Sequence, residues 1–385
     1  MQKKIIALAV AGLVSGAAFA QSNVTVFGIV DMGYQYSWGT NGSNYNDMKA
    51  KSEIKAGGQD GSRFGFRGTE DLGNGLKANF EMAAGFDADT GSSYGGRLMS
   101  EGAFVGLSGD KWGAVKAGYF GSFIDDATGV DVTGRVGAAS SGLISTGKYT
   151  NFLAYYSPIY SGFQFKAGYS SNALGQDVAM TPNQAASNLN VRTYTVAADY
   201  KNAGFDVRAA YAYYDPAEVN YTAGNVAPKS EAGNEWLIGA GYDFKVASVS
   251  LMYQAQKNIQ TAESYGSCNF NGQGDITNEN STAAGCIIDK RDFWALGVKV
   301  PMGAKDSIAL GYGQVKNKYY GGLNIDDDTG NKFGITYLHT MSKRTNIYAL
   351  YGNVNSDEIA SSGVKAYTIN NGYKNAFNVG IRHLF

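Results

Sequence analysis

Two histidines and two cysteines have the widest chemical repertoire in this 385-residue chain. Both histidines lie in alternating segments, on the apolar parity. His339 follows Phe333, Ile335 and Tyr337, and His383 follows Val379 and Ile381. A nucleophile–base pair or a metal centre needs a histidine directed into a polar pocket, so this placement points to an apolar boundary instead. A hydrolase built on carboxylates alone stays open. Cys268 and Cys286 share one loop-like stretch, where a disulfide fits an exported chain. Such a closure stabilises by roughly 3 kcal/mol in the chain-entropy description; two separate thiols are the alternative. Asn324, Asp326, Asp327, Asp328 and Gly330 resemble part of a calcium loop. The distal bidentate glutamate of an EF-hand is missing, so a solvated acidic loop is the plainer reading. Spacings such as Gly311-Tyr312-Gly313 lack the helix a nucleotide site requires. No cofactor and no metal is expected.

The remaining chemistry is charge, and strict alternation positions it. Leu76, Ala78, Phe80 and Met82 oppose Lys77, Asn79 and Glu81. Phe163, Phe165, Ala167 and Tyr169 oppose Gln164 and Lys166, while Phe205, Val207, Ala209 and Tyr211 oppose Asp206 and Arg208. A period of two is that of a strand with one apolar and one polar face. In a soluble sandwich the apolar face lies between sheets; in a membrane barrel it meets lipid and the polar face lines a wet interior. Alternation alone leaves both readings open.

About 16 such strands follow, an even number suited to a closed barrel. They begin near 23, 53, 76, 98, 112, 148, 162, 191, 204, 234, 247, 290, 305, 331, 344 and 374. Their connections alternate between tight turns, such as Asp71 to Gly75 and Lys201 to Gly204, and long segments, such as 120–147 and 259–289. That asymmetry belongs to outer-membrane barrels. Pro158 and Pro301 fall at strand ends and Pro182, Pro216 and Pro228 in loops, as a residue unable to donate to a ladder must. Aromatic clusters at Tyr34 to Trp38, Tyr155-Tyr156, Tyr211 to Tyr214 and Tyr319-Tyr320 suit interfacial girdles, although such residues also simply favour strands.

Met1 to Ala20 reads as a cleavable signal peptide: Lys3 and Lys4, an apolar stretch from Ile5 to Val14, then Ala18-Phe19-Ala20. Residues 21–385 form a single expected barrel domain, without a linker-like break. The signal holds two lysines and no acid, so 32 basic and 33 acidic residues become 30 and 33, a net charge of −3. That balance gives no reason to expect nucleic acid as a partner. After the signal no apolar run is long enough for a transmembrane helix.

The last strand, Asn375 to Phe385, sets Phe377, Val379, Ile381, His383 and Phe385 against Asn378, Gly380 and Arg382. The run from Ser62-Arg63-Phe64-Gly65-Phe66-Arg67 to Leu76-Lys77-Ala78 resembles general porins of the neisserial and beta-proteobacterial type. The same likeness appears in Val24 to Gly28 with Asp31, in Ala103 to Ser108, in Tyr156-Ser157-Pro158 and in Gly380 to Phe385, across essentially the whole mature chain.

The resemblance implies an all-β, 16-stranded antiparallel transmembrane barrel with an inward-folded third extracellular loop. It implies a homotrimer in the outer membrane of a Gram-negative bacterium, a multi-pass protein among outer-membrane lipids and lipopolysaccharide. Each subunit would carry a passive aqueous channel for ions and small hydrophilic solutes. Segment 120–147 occupies the third loop's place and brings Asp125, Asp126, Asp131 and Arg135. Arg63 matches an arginine of the family's Ser-Arg motif and shares inward parity with Arg67. Lys77, Glu81 and Lys116 are further lining candidates. Where the family carries Arg-Gln before Ala-Phe-Val-Gly-Leu, this chain has Glu101-Gly102, and a basic residue expected near the next long strand appears as Lys148. A weakly selective or mildly cation-preferring pore is therefore expected. Phe385 fits the terminal assembly signal of this class. Two rival readings are an outer-membrane barrel hydrolase and a secreted β-rich adhesin, while a plugged 22-stranded transporter needs more chain than this.

Overall fold

The structure, a computed structural model, describes residues 23–40, 49–93, 97–134, 147–173 with 175, 190–216, 232–258, 288–319, 328–356 and 373–385. The expectations for Met1 to Ala20, Arg135, Cys268, Cys286, Asn324, Asp326 and Asp327 lie outside the described residues.

Eighteen strands form one antiparallel sheet that closes on itself. In chain order they are β1 (Asn23–Thr40), β2 (Lys51–Ala56), β3 (Arg63–Gly73), β4 (Leu76–Asp87), β5 (Ser92–Ser93), β6 (Gly102–Gly109), β7 (Gly113–Gly121), β8 (Lys148–Tyr156) and β9 (Phe163–Ser170). They continue as β10 (Val191–Asn202), β11 (Phe205–Pro216), β12 (Gly233–Asp243), β13 (Ser248–Lys257), β14 (Ile288–Met302), β15 (Asp306–Tyr319), β16 (Asp328–Thr340), β17 (Thr345–Ser356) and β18 (Tyr373–Leu384). β2 and β3 both pair with β1 and share one place in the wall, while β5 is a two-residue hairpin strand beside β4. Sixteen wall positions result, a closed 16-stranded antiparallel barrel.

Closure is made by β1 against β18, in register from Ile29 opposite Leu384 to Thr40 opposite Tyr373. Beyond the last pair, Phe385 exchanges two backbone hydrogen bonds of 3.0 Å with Gly28. The Phe385 ring lies where a side chain at position 28 would project, so this contact requires glycine.

Burial is inverted relative to a water-soluble protein. Outward Val24 and Phe165 are each 58% exposed, whereas inward Asp31 and Asn378 are fully buried. A surface of this kind is stable against hydrocarbon, since the apolar side meets lipid and the polar side is satisfied within the wall. Among the described residues no helix is long and apolar enough to cross a membrane; the strands cross. Three short turns share one geometry. Asn74-Gly75, Ser161-Gly162 and Ala203-Gly204 all lie at positive φ, the first pair preceded by Gly73 at positive φ as well, as a tight hairpin turn matching strand twist demands.

Three sequence expectations need correction. The strand expected from about 53 is broken by a bend at 57–62, because Gly57 N–H, Gln59 N–H, Asp60 N–H and Ser62 Oγ all turn inward to hydrogen-bond Asp31. Nor do all the aromatic clusters form girdles: neighbours on a strand face opposite ways. Tyr155 and Tyr213 are exposed on the outer wall, but Tyr156 packs on Phe123 with ring centroids 5.6 Å apart and Tyr214 hydrogen-bonds Glu235 at 2.7 Å inside. Pro216 also ends β11 instead of lying in a loop.

Candidate pore constriction

The third long connection, between β7 and β8, folds into the barrel. Its first turn is a short helix, α1 (Phe123–Ala127), capped by Ser122 Oγ accepting from Asp125 N–H at 3.0 Å. Phe123, Ile124 and Ala127 are buried at 1% exposure or less. They pack with Phe120, Tyr149 and Phe152 over a wall whose inward residues here are small, Ala154, Ala197, Ala210 and Ala212. A single-turn 3-10 segment, Thr128–Val130, continues across the interior. There Val130 joins Met252, Phe293, Ala295 and Val315 on β13 to β15. Gly239 makes room: a Cβ there would stand 2.5 Å from Val130 Cγ1. The apolar core thus lies between loop and wall, and the wall's small residues are its socket.

Charge fixes the loop in that socket. Lys166 Nζ on β9 lies 2.7 Å from Asp199 and 3.4 Å from Asp126, and its side chain is almost fully buried. Arg208 holds Asp206 through Nε at 2.8 Å and donates from Nη1 to the Asp126 carbonyl at 2.6 Å. Val132 N–H donates to Ser250 Oγ at 3.1 Å, and Asp131 Oδ1 accepts from both Thr133 N–H and Oγ1 at 2.8 Å. Burial raises the Asp126 carboxyl above the usual range; Lys166 opposes that shift, and the nearby Asp125 and Asp199 add to it.

The rest of the interior carries the other expected residues. Arg63 Nη1 meets Asp60 at 3.1 Å, and Arg382 Nη2 meets the same carboxylate at 3.0 Å. Arg67 stacks over Phe27 at 5.0 Å and stands opposite Glu81 in the β3–β4 register. Lys116 Nζ sits between two rings, 4.5 Å from Phe104 and 4.9 Å from Tyr156. Glu101 and Lys148 meet at 3.4 Å. Lys77 lies one strand rise from the β3–β4 turn, opposite Asp71. Asp125 flanks Asp126 on α1. The histidines face away from this interior: His339 Nδ1 bonds Asp306 and His383 Nδ1 bonds Thr345 Oγ1, at 2.8 and 2.9 Å.

Alternation marks Lys166, Asp206 and Arg208 as candidate lumen residues, and Asp199 carries the same inward parity. Asp60 had no signal, because it lies in the bend that interrupts the alternation.

The sequence profile of the Gram-negative porin family matches residues 7–359. The chain belongs to that family. It is 32% identical to an outer membrane porin protein of Bordetella pertussis over an alignment of 415 residues covering all of both chains. It is 30% identical to outer membrane porin protein 32 of Delftia acidovorans, again across both full lengths. Among solved structures, the anion-selective porin from Comamonas acidovorans superposes with a TM-score of 0.67 at 24% identity, covering 95% of this chain and 100% of that one. This porin is accordingly a protein of the Gram-negative outer membrane, a water-filled channel for passive diffusion of ions and small hydrophilic solutes. The inward loop lies against an apolar socket of the wall, and the interior also carries the Asp60–Arg382 ion pair.

Proposed function

We propose that this porin is a weakly ion-selective diffusion channel whose filter is the Asp125 to Asp131 stretch together with the wall residues Arg63, Arg67, Lys77, Glu81, Lys116 and the Glu101–Lys148 pair. One observation carries the reading: the charges that would set a strong field are spent on one another. Asp126 is tied to Lys166, Glu101 to Lys148, and Asp60 to both Arg63 and Arg382. A paired charge projects a smaller field into a wet pore than an isolated one. Glu101, read from sequence as a reversal of wall charge, is cancelled by Lys148. Solutes pass without covalent chemistry.

The working unit in this reading is a homotrimer set among outer-membrane lipids and lipopolysaccharide, with Met1 to Ala20 removed on export and Phe385 read during assembly. OmpT of Vibrio cholerae, solved in a trimer form, shares the fold with a TM-score of 0.60 at 15% identity. Planar-bilayer recording tests the proposal. Three-step closure and a reversal potential near zero in a tenfold potassium chloride gradient are expected, and a potential close to the chloride or potassium limit would overturn weak selectivity.

A further inference from the structure

The outward face of the wall is largely apolar, yet at the long-loop end of β13 to β15 it carries four exposed lysines, Lys257, Lys290, Lys316 and Lys318. Lys257 stands directly opposite Lys290, and Lys290 directly opposite Lys318. Neighbouring strands are about 4.8 Å apart, so three ammonium-bearing positions share roughly 10 Å of wall. Like charges placed directly opposite in a sheet repel and destabilise it. Among the described residues none of the four makes an ion pair. The outward Asp292 faces Lys316 and accepts from Tyr253 Oη at 2.8 Å. The β10–β11 hairpin contrasts with this: its corresponding outward pair is Arg192 opposite Asp215.

Toward the middle of these strands and the neighbouring β12 lie outward aromatic pairs, Trp236 with Tyr253 and Trp294 with Tyr312, at 5.1 and 5.3 Å between ring centroids. Such a belt marks where hydrocarbon gives way to head groups. Below it the outer wall is Ile238, Leu251, Leu296 and Leu310, all exposed. The lysine row therefore sits at head-group height, above a surface that accepts acyl chains.

We propose that Lys257, Lys290 and Lys318, flanked by Lys316, bind the phosphate groups of a phosphorylated glycolipid in the outer leaflet. The proposal rests on the outer-membrane placement and goes beyond it by naming a site. Anionic charge relieves the repulsion along the row, and the belt and leucines beneath seat the chains of the same molecule. A second copy of this chain apposed through the same patch would bring the same positive row and add to the repulsion.

The test uses the full chain in detergent with EDTA present, so that no divalent ion bridges acids to lipid. Binding of bisphosphorylated lipid A is measured by native mass spectrometry for the wild type and for the K257Q/K290Q/K318Q variant. Juxtamembrane lysines each contribute roughly fivefold to anionic-lipid affinity, so a loss of about 100-fold is expected. Lys245→Gln, at the short-turn rim, is expected to bind as the wild type does. Dephosphorylated lipid A should bind the wild type as weakly as lipid A binds the triple variant. Unchanged lipid A binding by the triple variant, or equal binding of the dephosphorylated lipid, would overturn the site. Competition by inorganic phosphate as strong as by lipid A would replace it with a free-anion site. Single K290Q provides the same comparison, with about a fivefold loss, where the triple variant folds poorly. Conductance in phosphatidylcholine bilayers, which contain no lipid A, reports on the pore separately from the site.

Discussion

The Tyr348 hydroxyl on β17 donates to Asp31 Oδ1 on β1 at 2.5 Å, a bond between residues 317 apart in sequence. It spans the closing strand β18 from inside, because Gly33, Gly58 and Gly380 leave space around the phenol. The other Asp31 oxygen takes the N–H groups of Gln59 and Asp60 at 2.9 and 2.6 Å, which holds the bend between β2 and β3 against the wall. One buried carboxylate thus fastens the seam and presents Asp60 to Arg63 and Arg382.

Tyr348→Phe leaves that carboxylate short of a donor. A charge-assisted bond of this kind contributes about 1.5–3 kcal/mol, so the variant should melt earlier on heat-modifiability gels while still forming channels. An unchanged transition would show that the bond contributes nothing to closure.

The socket at Gly239 makes a sharper test of the loop's position. A leucine there collides with Val130, and the 3-10 segment has to leave the wall at β12 and β13. Single-channel conductance should change by tens of per cent or more while the barrel still assembles, since Gly239 is interior and makes no turn. Conductance identical to wild type would mean that the loop does not set the constriction.

Glu101 and Lys148 form a two-residue cycle. Neutralising Glu101 alone frees Lys148 and should move the reversal potential toward the chloride limit; neutralising Lys148 alone should move it toward potassium. The double variant is expected to lie close to wild type, and the departure from additivity measures the coupling. Additive shifts would mean that the two charges act on the permeating ion independently.

Asp126 gives the pore a pH dependence with a defined sign. Its carboxyl is raised by burial, so it takes up a proton above the ordinary aspartate range as pH falls. Protonation removes a negative charge from the loop and loosens the tie to Lys166, so chloride preference should rise on acidification. The folded state binds this proton more tightly than the unfolded chain does. This carboxyl alone therefore lends stability as pH falls and withdraws it as pH rises through the raised value. Asp126→Asn should flatten the selectivity change seen as pH falls from neutral toward the ordinary aspartate range, and a full-sized change in that variant would assign it elsewhere.

Much of the wall was legible because a period of two records which side each residue faces. Strand starts at 23, 76, 148 and 191 coincide with those of β1, β4, β8 and β10. The parity that sends Phe64 and Phe66 outward and Arg63 and Arg67 inward holds in the folded chain. The candidate site was legible only as a list of charges. Arg63 carries a motif, yet its partner Asp60 sits in a bend without periodicity, and the inward contacts of Tyr156 with Phe123 and of Tyr214 with Glu235 leave no mark on the alternation.

Alternation, turn lengths and the Ser62 to Ala78 run determined by themselves that this chain forms a closed outer-membrane barrel with a long third connection. Those features are local, and local repetition is what a strand ladder needs. Tertiary structure decided which charges meet: Asp126 with Lys166, Glu101 with Lys148, Asp60 with two arginines, Lys257, Lys290 and Lys318 in one row. Such neighbours lie on different strands or across the lumen, and their proximity follows from the register and from the path of the inward loop, neither of which a one-dimensional pattern contains.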